Sequence, residues 1–545
     1  MQARPLGNVT TDRPWHRSGA AGYARQRIAR MLRPPVIVTP MSGEVTKLTD
    51  VEIPVRDGTI LRANVYLPPD AARVPAILSA HPYGKDALPR RTRRGYRINP
   101  QFRILRQTAP IRISGETSWE APDPAWWAAH GYAVVNLDVR GAGRSDGVGS
   151  LLSDAEAEDV SDAIEWIASQ DWCDGGVAML GVSYLAISQF KVAAAAPPHL
   201  RAIVPWEGFT DAYRDFFYPG GVREVGFSRL WTTLVRRSTR MSPDLGREAA
   251  ARPDDDAWWR SLAPDLARIR TPMLVCGSFS DANLHTRGSF RAFAEVSSTE
   301  RHLYTHRTGK WAAFYSDEAK AVQRAFLDAH LKGIPHDLPR VRLEVRDRGD
   351  RIHEVRPEVE WPPPSTTLAL HLHGDGRMRP TPVDGAAEVS FPGRRRAARY
   401  SWRFEEDTEI TGEARLRVWL SSSAPGPVSV FAGLSKWIQG RFVPFEGSYG
   451  FGRDLVTTGF ARVAVGEAGG AGEAPCPVDI AFAPSATFFR AGDELRLHVA
   501  GRPLSPRNPV WGSFPALYRS SGHGLWTLHS RPRHPQILEL PAVTR

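Results

Sequence analysis

Three observations predict an α/β fold built on a parallel sheet and joined to an antiparallel β jelly roll. Short, largely apolar runs alternate with helical stretches from about residue 74 to residue 306. Strands of that kind are buried on both faces, and a parallel sheet covered by helices provides such burial. An aromatic-rich helical insertion interrupts the alternation at about 207–265. From about residue 335 the helices stop and many short alternating strands take over, as in a β-sandwich or jelly roll.

The elements follow in order. Residues 1–45 are a polar, basic N-terminal extension in which "AGYARQRIARML" forms one helix. "TKLTDVEIPVRDGTILRANVYLPP" alternates apolar and polar residues around the turn "RDG", which is a β-hairpin signal. The sheet strands are "VPAILSA" (74–80), "YAVVNLDV" (132–139), "VAMLGV" (177–182), "LRAIVPW" (200–206), "PMLVCGS" (272–278) and "RHLYTH" (301–306). "DAEAEDVSDAIEWIASQ" (154–170) has helical period and lies between the second and third of these. The domains are therefore expected at 46–334, including a cap at about 207–265, and at 335–545. "GEAGGAGEAPCP" (466–477) reads as a mobile loop.

Composition narrows the function classes. The 545 residues are 42% hydrophobic and 24% charged, enough for packed cores. The formal charge of +11 comes from 70 Lys and Arg against 59 Asp and Glu. The basic residues are scattered in short runs such as "RRTRRGYR" (90–97) and "RRRAAR" (394–399), with no sustained basic helix face. No nucleic-acid partner is expected. No window is apolar enough for a membrane helix and no signal-peptide core is visible, so a cytoplasmic location without a membrane partner is expected. Self-association as a homodimer stays open. Cys173, Cys276 and Cys476 fit neither a metal spacing nor a disulfide framework. No cofactor or metal is expected, because "RGAGRSDG" lacks the third glycine of a dinucleotide fingerprint and no ligand cluster is visible.

The chemistry centres on "GVSYLAISQ" (181–189). A strand, then G-x-S, then a helix is a nucleophile elbow, and it makes Ser183 the candidate nucleophile. The second glycine of the usual elbow is missing, since Leu185 and Ala186 stand there. A serine needs a base, and the base needs an orienting carboxylate, in the chain order Ser, Asp, His. Asp281 in "FSDANLH" follows a strand end and is the candidate acid. His306, at the end of "RHLYTH", is the candidate base. His302 lies at the start of that strand and His285 on the helix after Asp281. For an oxyanion hole the candidates are the backbone N–H of Tyr184 and the hydroxyl of Tyr83, in the loop "HPYGKD". Trp206, Phe209, Phe216, Phe217 and Trp231 are candidate substrate-binding aromatics around the cap. The same aromatics read equally well as cap core.

The set "RDGTILRANVYLP", "HPYGKD", "DVRGAGRSDG", "GVSYLAISQ", "PWEG", "FSDANLHTRG" and "RDRGDRIHEVRPEVEWPPP" resembles the cocaine esterase / X-Pro dipeptidyl-peptidase-like family of serine hydrolases, which includes glutaryl acylases. The resemblance covers about residues 48–545. It implies an α/β-hydrolase domain with a helical cap, a C-terminal jelly roll, and hydrolysis of esters or amides by a Ser-His-Asp triad. The family's tyrosine donor falls on Tyr83, its nucleophile on Ser183 and its acid on Asp281. Its elbow glycine falls on Ala186, and its histidine position falls on Ala313 in "GKWAA", which has no basic group. His306 is then the expected base, with Lys310 as an alternative. Three functions follow: hydrolysis of a small ester or amide, a biosynthetic acyl transfer or other non-hydrolytic reaction with an altered triad, and a non-catalytic binding protein.

Overall fold

The computed structural model describes residues 20–543 apart from 42–43, 70–72, 94, 106–108, 350, 425, 448–453, 465–474, 505–515 and 521–522. Most of the expected loop at 466–477 lies outside the described residues; Cys476 opens a strand at its end. The helix expected in the N-terminal extension spans Ala20–Leu32.

The central sheet contains β1 (Thr46–Pro54), β2 (Ile60–Leu67), β3 (Val74–His81), β4 (Ala133–Asp138), β5 (Cys173–Val182), β6 (Leu200–Trp206), β7 (Met273–Ser278), β8 (Arg301–His306) and β9 (Val341–Arg348). Its spatial order is β1-β2-β4-β3-β5-β6-β7-β8-β9. The hairpin β1–β2 and the β2–β4 pair are antiparallel, and all later neighbours are parallel. The apolar runs explain this arrangement. Every residue of β4 and β7 is buried, as are the last seven of β5. Strands of this kind need helices on both faces. Two such helices are α1 (Asp154–Ala168), capped by Ser153, and α2 (Tyr184–Ala195).

The insertion between β6 and β7 is helical, as expected. It has one π-helical turn at Ala212–Phe217, then α3 (Phe227–Ser238), α4 (Leu245–Ala251) and α5 (Ala257–Leu262). After β7 come α6 (Thr286–Glu295), then β8, the short α7 (Lys310–Phe314) and α8 (Asp317–Lys332).

Beyond α8 the chain forms two packed sheets. One includes Arg415–Ser422 between Cys476–Ala481 and the strands Leu525–Ser530 and Ile537–Val543. The other includes Val428–Ile438 between Glu494–Ala500 and Thr457–Val463. Leu416, Val418, Leu528, Leu538, Val430, Leu434, Leu497 and Val499 form their shared core. β9 follows the boundary expected near residue 335 but continues the parallel sheet, pairing Val341 with Leu303. Further along, its Arg346 pairs with Thr487 of the C-terminal sheets. The two domains are thus stitched by backbone.

Side chains hold the junction as well. The buried Arg307 donates to the carbonyls of Val456 (2.8 Å) and Leu455 (2.6 Å), and its guanidinium lies 4.4 Å from the centre of the Phe445 ring. Arg287 on α6 donates to Thr458 O at 3.1 Å. Glu224 at the cap accepts from Leu517 N at 2.8 Å. The C-terminal domain therefore braces both the cap and α6, the helix that follows the Asp281 turn. Cys173, Cys276 and Cys476 are free thiols.

Candidate active site

β5 ends at Val182, and Ser183 sits at φ 58°, ψ −115° before α2 begins. That is a strained conformation for a residue with a Cβ, costing on the order of 1–3 kcal/mol. It is held by the Ser183 N–H donating to Trp206 O (3.1 Å), while Ala186 N and Ile187 N donate to Ser183 O (2.9 Å each). Gly181 is required here, because a Cβ on it would stand 2.4 Å from Leu185 Cβ. The missing second glycine is compensated across the turn. A Cβ on Gly208 would stand 3.0 Å from Ala186 Cβ, so a small residue in the loop after β6 makes room for Ala186.

The structure brings His285, not His306, to the serine. His285 Nε2 lies 3.2 Å from Ser183 Oγ, and His285 Nδ1 lies 2.5 Å from Asp281 Oδ2. Asp281 and His285 are four residues apart in one tight turn, where Asp281 O accepts from Leu284 N (3.0 Å) and His285 N (3.2 Å). His285 directly precedes α6, so the turn into that helix aims its ring. The Phe209 ring stacks on the imidazole at 6.1 Å.

His306 is a correction. It is buried beside Trp206, its Nε2 is 3.1 Å from Glu207 Oε1, and its Nδ1 accepts from Thr308 N at 3.1 Å. Accepting at Nδ1 puts the ring proton on Nε2, which donates to Glu207. His306 is therefore spent on a structural pair. His302 bonds to Pro339 O at 2.9 Å. The signal for His285 was present in "DANLH", an acid and a histidine at i, i+4 on the way into a helix, a spacing that puts side chains on one face.

Lys310 is fully buried. Its Nζ stands 2.9 Å from Asp281 Oδ2 and 2.8 Å from His285 Nδ1. Its Nζ is thus engaged with Asp281 and His285, and the nitrogen beside Ser183 Oγ is His285 Nε2, which argues against the alternative of Lys310 as base. Ala313 is buried on α7. The paired charges hold Asp281 below the usual carboxylate range against the opposing effect of burial, with Lys310 acting before His285. His285 is lowered by burial first and by Lys310 second, against the pull of Asp281.

Tyr184 opens α2, where the first N–H groups have no helical acceptor. Its phenol donates to Glu156 at 2.7 Å, tying the elbow to the start of α1. Tyr83 Oη accepts from Trp231 Nε1 at 3.0 Å, and its ring meets Tyr184 edge-on at 6.3 Å. Glu120 is a further residue that sequence reasoning missed. It is buried at φ 66°, and its carbonyl accepts from Val182 N at 3.0 Å. Burial pushes its carboxyl up to about 8, with Lys310 and a hydrogen bond to Tyr83 pulling the other way.

The five aromatics divide. Trp206 is fully buried against Tyr304 and Phe314 and belongs to the core, which corrects its expected place in a binding site. Phe216 and Phe217 pack within the cap, against Phe227 and Trp259. Phe209 and Trp231 touch site residues, His285 and Tyr83. Glu207, Cys276 and His306 form a buried trio with the spacing of metal ligands, which sequence reading had not found. It suits an ion poorly. His306 Nε2 carries a proton, and burial, then Glu207, pushes the Cys276 thiol well up, so it stays protonated.

Comparison with known proteins bears on the family and the fold. Residues 57–311 match the model of the X-Pro dipeptidyl-peptidase (S15 family), and residues 332–538 match the X-Pro dipeptidyl-peptidase C-terminal non-catalytic domain. The chain is 28% identical over 425 residues to the cocaine esterase of Rhodococcus sp. (strain MB1 Bresler), covering 66% of this chain and 68% of that protein. It is 21% identical over 469 residues to an Xaa-Pro dipeptidyl-peptidase of Lactobacillus helveticus, covering 68% of this chain and 58% of that one. A CocE/NonD family hydrolase from Staphylococcus aureus superposes with a TM-score of 0.84 at 28% identity, covering 94% of this chain and all of that one. Among the described residues, no helix is long and apolar enough to cross a membrane.

Proposed function

From the premise that the chain belongs to the cocaine esterase and X-Pro dipeptidyl-peptidase-like family of serine hydrolases, we infer that it cleaves an ester or amide bond of a small molecule through an acyl-enzyme on Ser183. The observation that carries this reading is the relay of Ser183 Oγ, His285 and Asp281, with links of 3.2 and 2.5 Å.

The steps follow from the atoms. Ser183 Oγ attacks the substrate carbonyl carbon as its proton passes to His285 Nε2. The carbonyl oxygen becomes an oxyanion, which the Tyr184 N–H and the Tyr83 O–H stabilise. Asp281 holds the imidazole in the tautomer with Nδ1–H and stabilises the imidazolium. The intermediate collapses, and His285 gives its proton to the departing alkoxide or amine. A water molecule, deprotonated by the same nitrogen, then releases the acid and restores Ser183. The binding-protein reading required a serine with no base beside it, and His285 removes its support. Acyl transfer differs only in the nucleophile of the second half-reaction.

Purified protein supplied with aryl esters of short acids and with aminoacyl anilides should hydrolyse at least one class. Mass spectrometry of the quenched reaction should place the acyl group on Ser183, and reaction in labelled water should put one solvent oxygen into the acid. Wild-type turnover by Ser183→Ala would refute the reading.

A further inference from the structure

Lys310 lies inside the site but outside the proton relay. It sits at the start of α7, and its ammonium reaches both Asp281 Oδ2 (2.9 Å) and His285 Nδ1 (2.8 Å) from a fully buried position. An imidazole nitrogen has a single in-plane position. When it holds the proton donated to Asp281, it cannot also accept from an ammonium. The 2.5 Å separation from Asp281 Oδ2 claims that position. Lys310 therefore donates to Asp281 and faces the ring as an unbonded like charge whenever His285 takes a second proton.

We propose that Lys310 is a positioning residue that keeps His285 unprotonated and Asp281 ionised in mildly acidic surroundings, so that Ser183 remains activatable there. This rests on the triad reading above. The other titratable groups around the cluster do not supply the effect. Asp281 and Glu207 both favour the imidazolium. Glu207 is itself engaged with His306. Glu120 ionises only on the alkaline side, near 8. Tyr83 and Tyr518 are phenols pushed up by burial and are neutral there. Arg287, on α6, directs its guanidinium at the carbonyls of Ala282 and Thr458. Among the described residues, Lys310 is the cation that touches the ring. The arrangement has a catalytic cost, since the same charge disfavours the imidazolium formed during attack, and Asp281 offsets it.

The test is the rate of fluorophosphonate labelling of Ser183 in the full chain, followed from pH 4.5 to 9. In the wild type the acid limb should have its midpoint below the ordinary histidine value of about 6.5. Lys310→Met should move that midpoint up by roughly one unit or more, because a buried charge in contact is worth at least that. Lys310→Arg, which keeps the charge, should stay near the wild type. If the methionine variant does not fold, Lys310→Gln still donates to Asp281 while removing the charge, and it should shift in the same direction. A charge-removing variant whose limb coincides with that of the wild type overturns the proposal, as does a wild-type midpoint at or above 6.5. Absence of labelling at every pH overturns the triad reading and this inference together. Labelling with an unmoved limb overturns this inference alone.

Discussion

His285 can take the serine proton only while its other nitrogen keeps Asp281 occupied, so the competence of the site depends on one tautomer. Asp281 secures it with a charge-assisted bond of 2.5 Å, stronger than a neutral one. The proposed oxyanion donors are a separate matter. Tyr83 accepts from Trp231 and gives its own hydroxyl proton to the Glu120 carboxyl, so acting as an oxyanion donor requires that proton to turn from Glu120 to the substrate. Tyr83→Phe should therefore lower kcat by about 10²–10³ with little change in KM, as expected for a donor used mainly in the transition state. Steady-state kinetics on a chromogenic ester check this, and a rise in KM at constant kcat would reassign Tyr83 to substrate binding. Residues differed in how well their sequence announced them. Ser183 was legible because a strand, a glycine and a helix surround it. Asp281 was legible because it follows a strand end. His306 satisfied the same strand-end rule and misled, since that rule says nothing about whether Glu207 claims the ring. Glu120 carried no signal, because its burial is created by distant segments.

At the scale of elements, the elbow shows how a motif can be kept while its residues are exchanged. Ala186 stands where a glycine is usual, and Gly208, two residues past β6, supplies the space. Gly208→Ala should destabilise the fold by about 1–3 kcal/mol through overpacking. Adding Ala186→Gly should recover part of that loss, although Gly in a helix costs about 1 kcal/mol by itself. Denaturant midpoints of the two single variants and the double variant measure the coupling. Strictly additive effects would mean that the two positions do not share the space. Elements of the sheet were legible because apolar runs bounded by breakers have one good solution. The π-helical turn at Ala212–Phe217 was not, because its extra residue per turn depends on Asp215 accepting from Thr210 N, Asp211 N and Arg291. The double membership of β9 was equally hidden, since both of its partners lie far away in sequence.

Across the whole molecule, buried ionisable groups tie stability to pH. Glu120 and Glu156 ordinarily titrate at 4.5, and burial raises them to about 8 and about 7. The folded state thus binds more protons than the unfolded one between those values. Their contribution is fully present below pH 4.5 and is lost as pH rises through 7 and 8. His81 works in the opposite sense. Burial lowers it from 6.5 to about 4, so its contribution is present above 6.5 and is lost as pH falls toward 4. Above pH 6.5 the two carboxyls act unopposed by His81, and the melting temperature should fall from pH 6.5 to pH 8.5. Glu120→Gln should flatten that decline, and thermal melts of both proteins across the range check it. An unchanged slope would mean that Glu120 does not carry the linkage. The central claim, that the base is His285, is tested most directly by the rate at which a fluorophosphonate modifies Ser183 in two variants. His285→Ala should slow labelling by about three to four orders of magnitude, as expected when a serine loses its base. His306→Gln, which keeps a donor for Glu207, should label within about tenfold of the wild type, because His306 does not touch the serine. Rapid labelling of His285→Ala together with loss in His306→Gln would contradict the account.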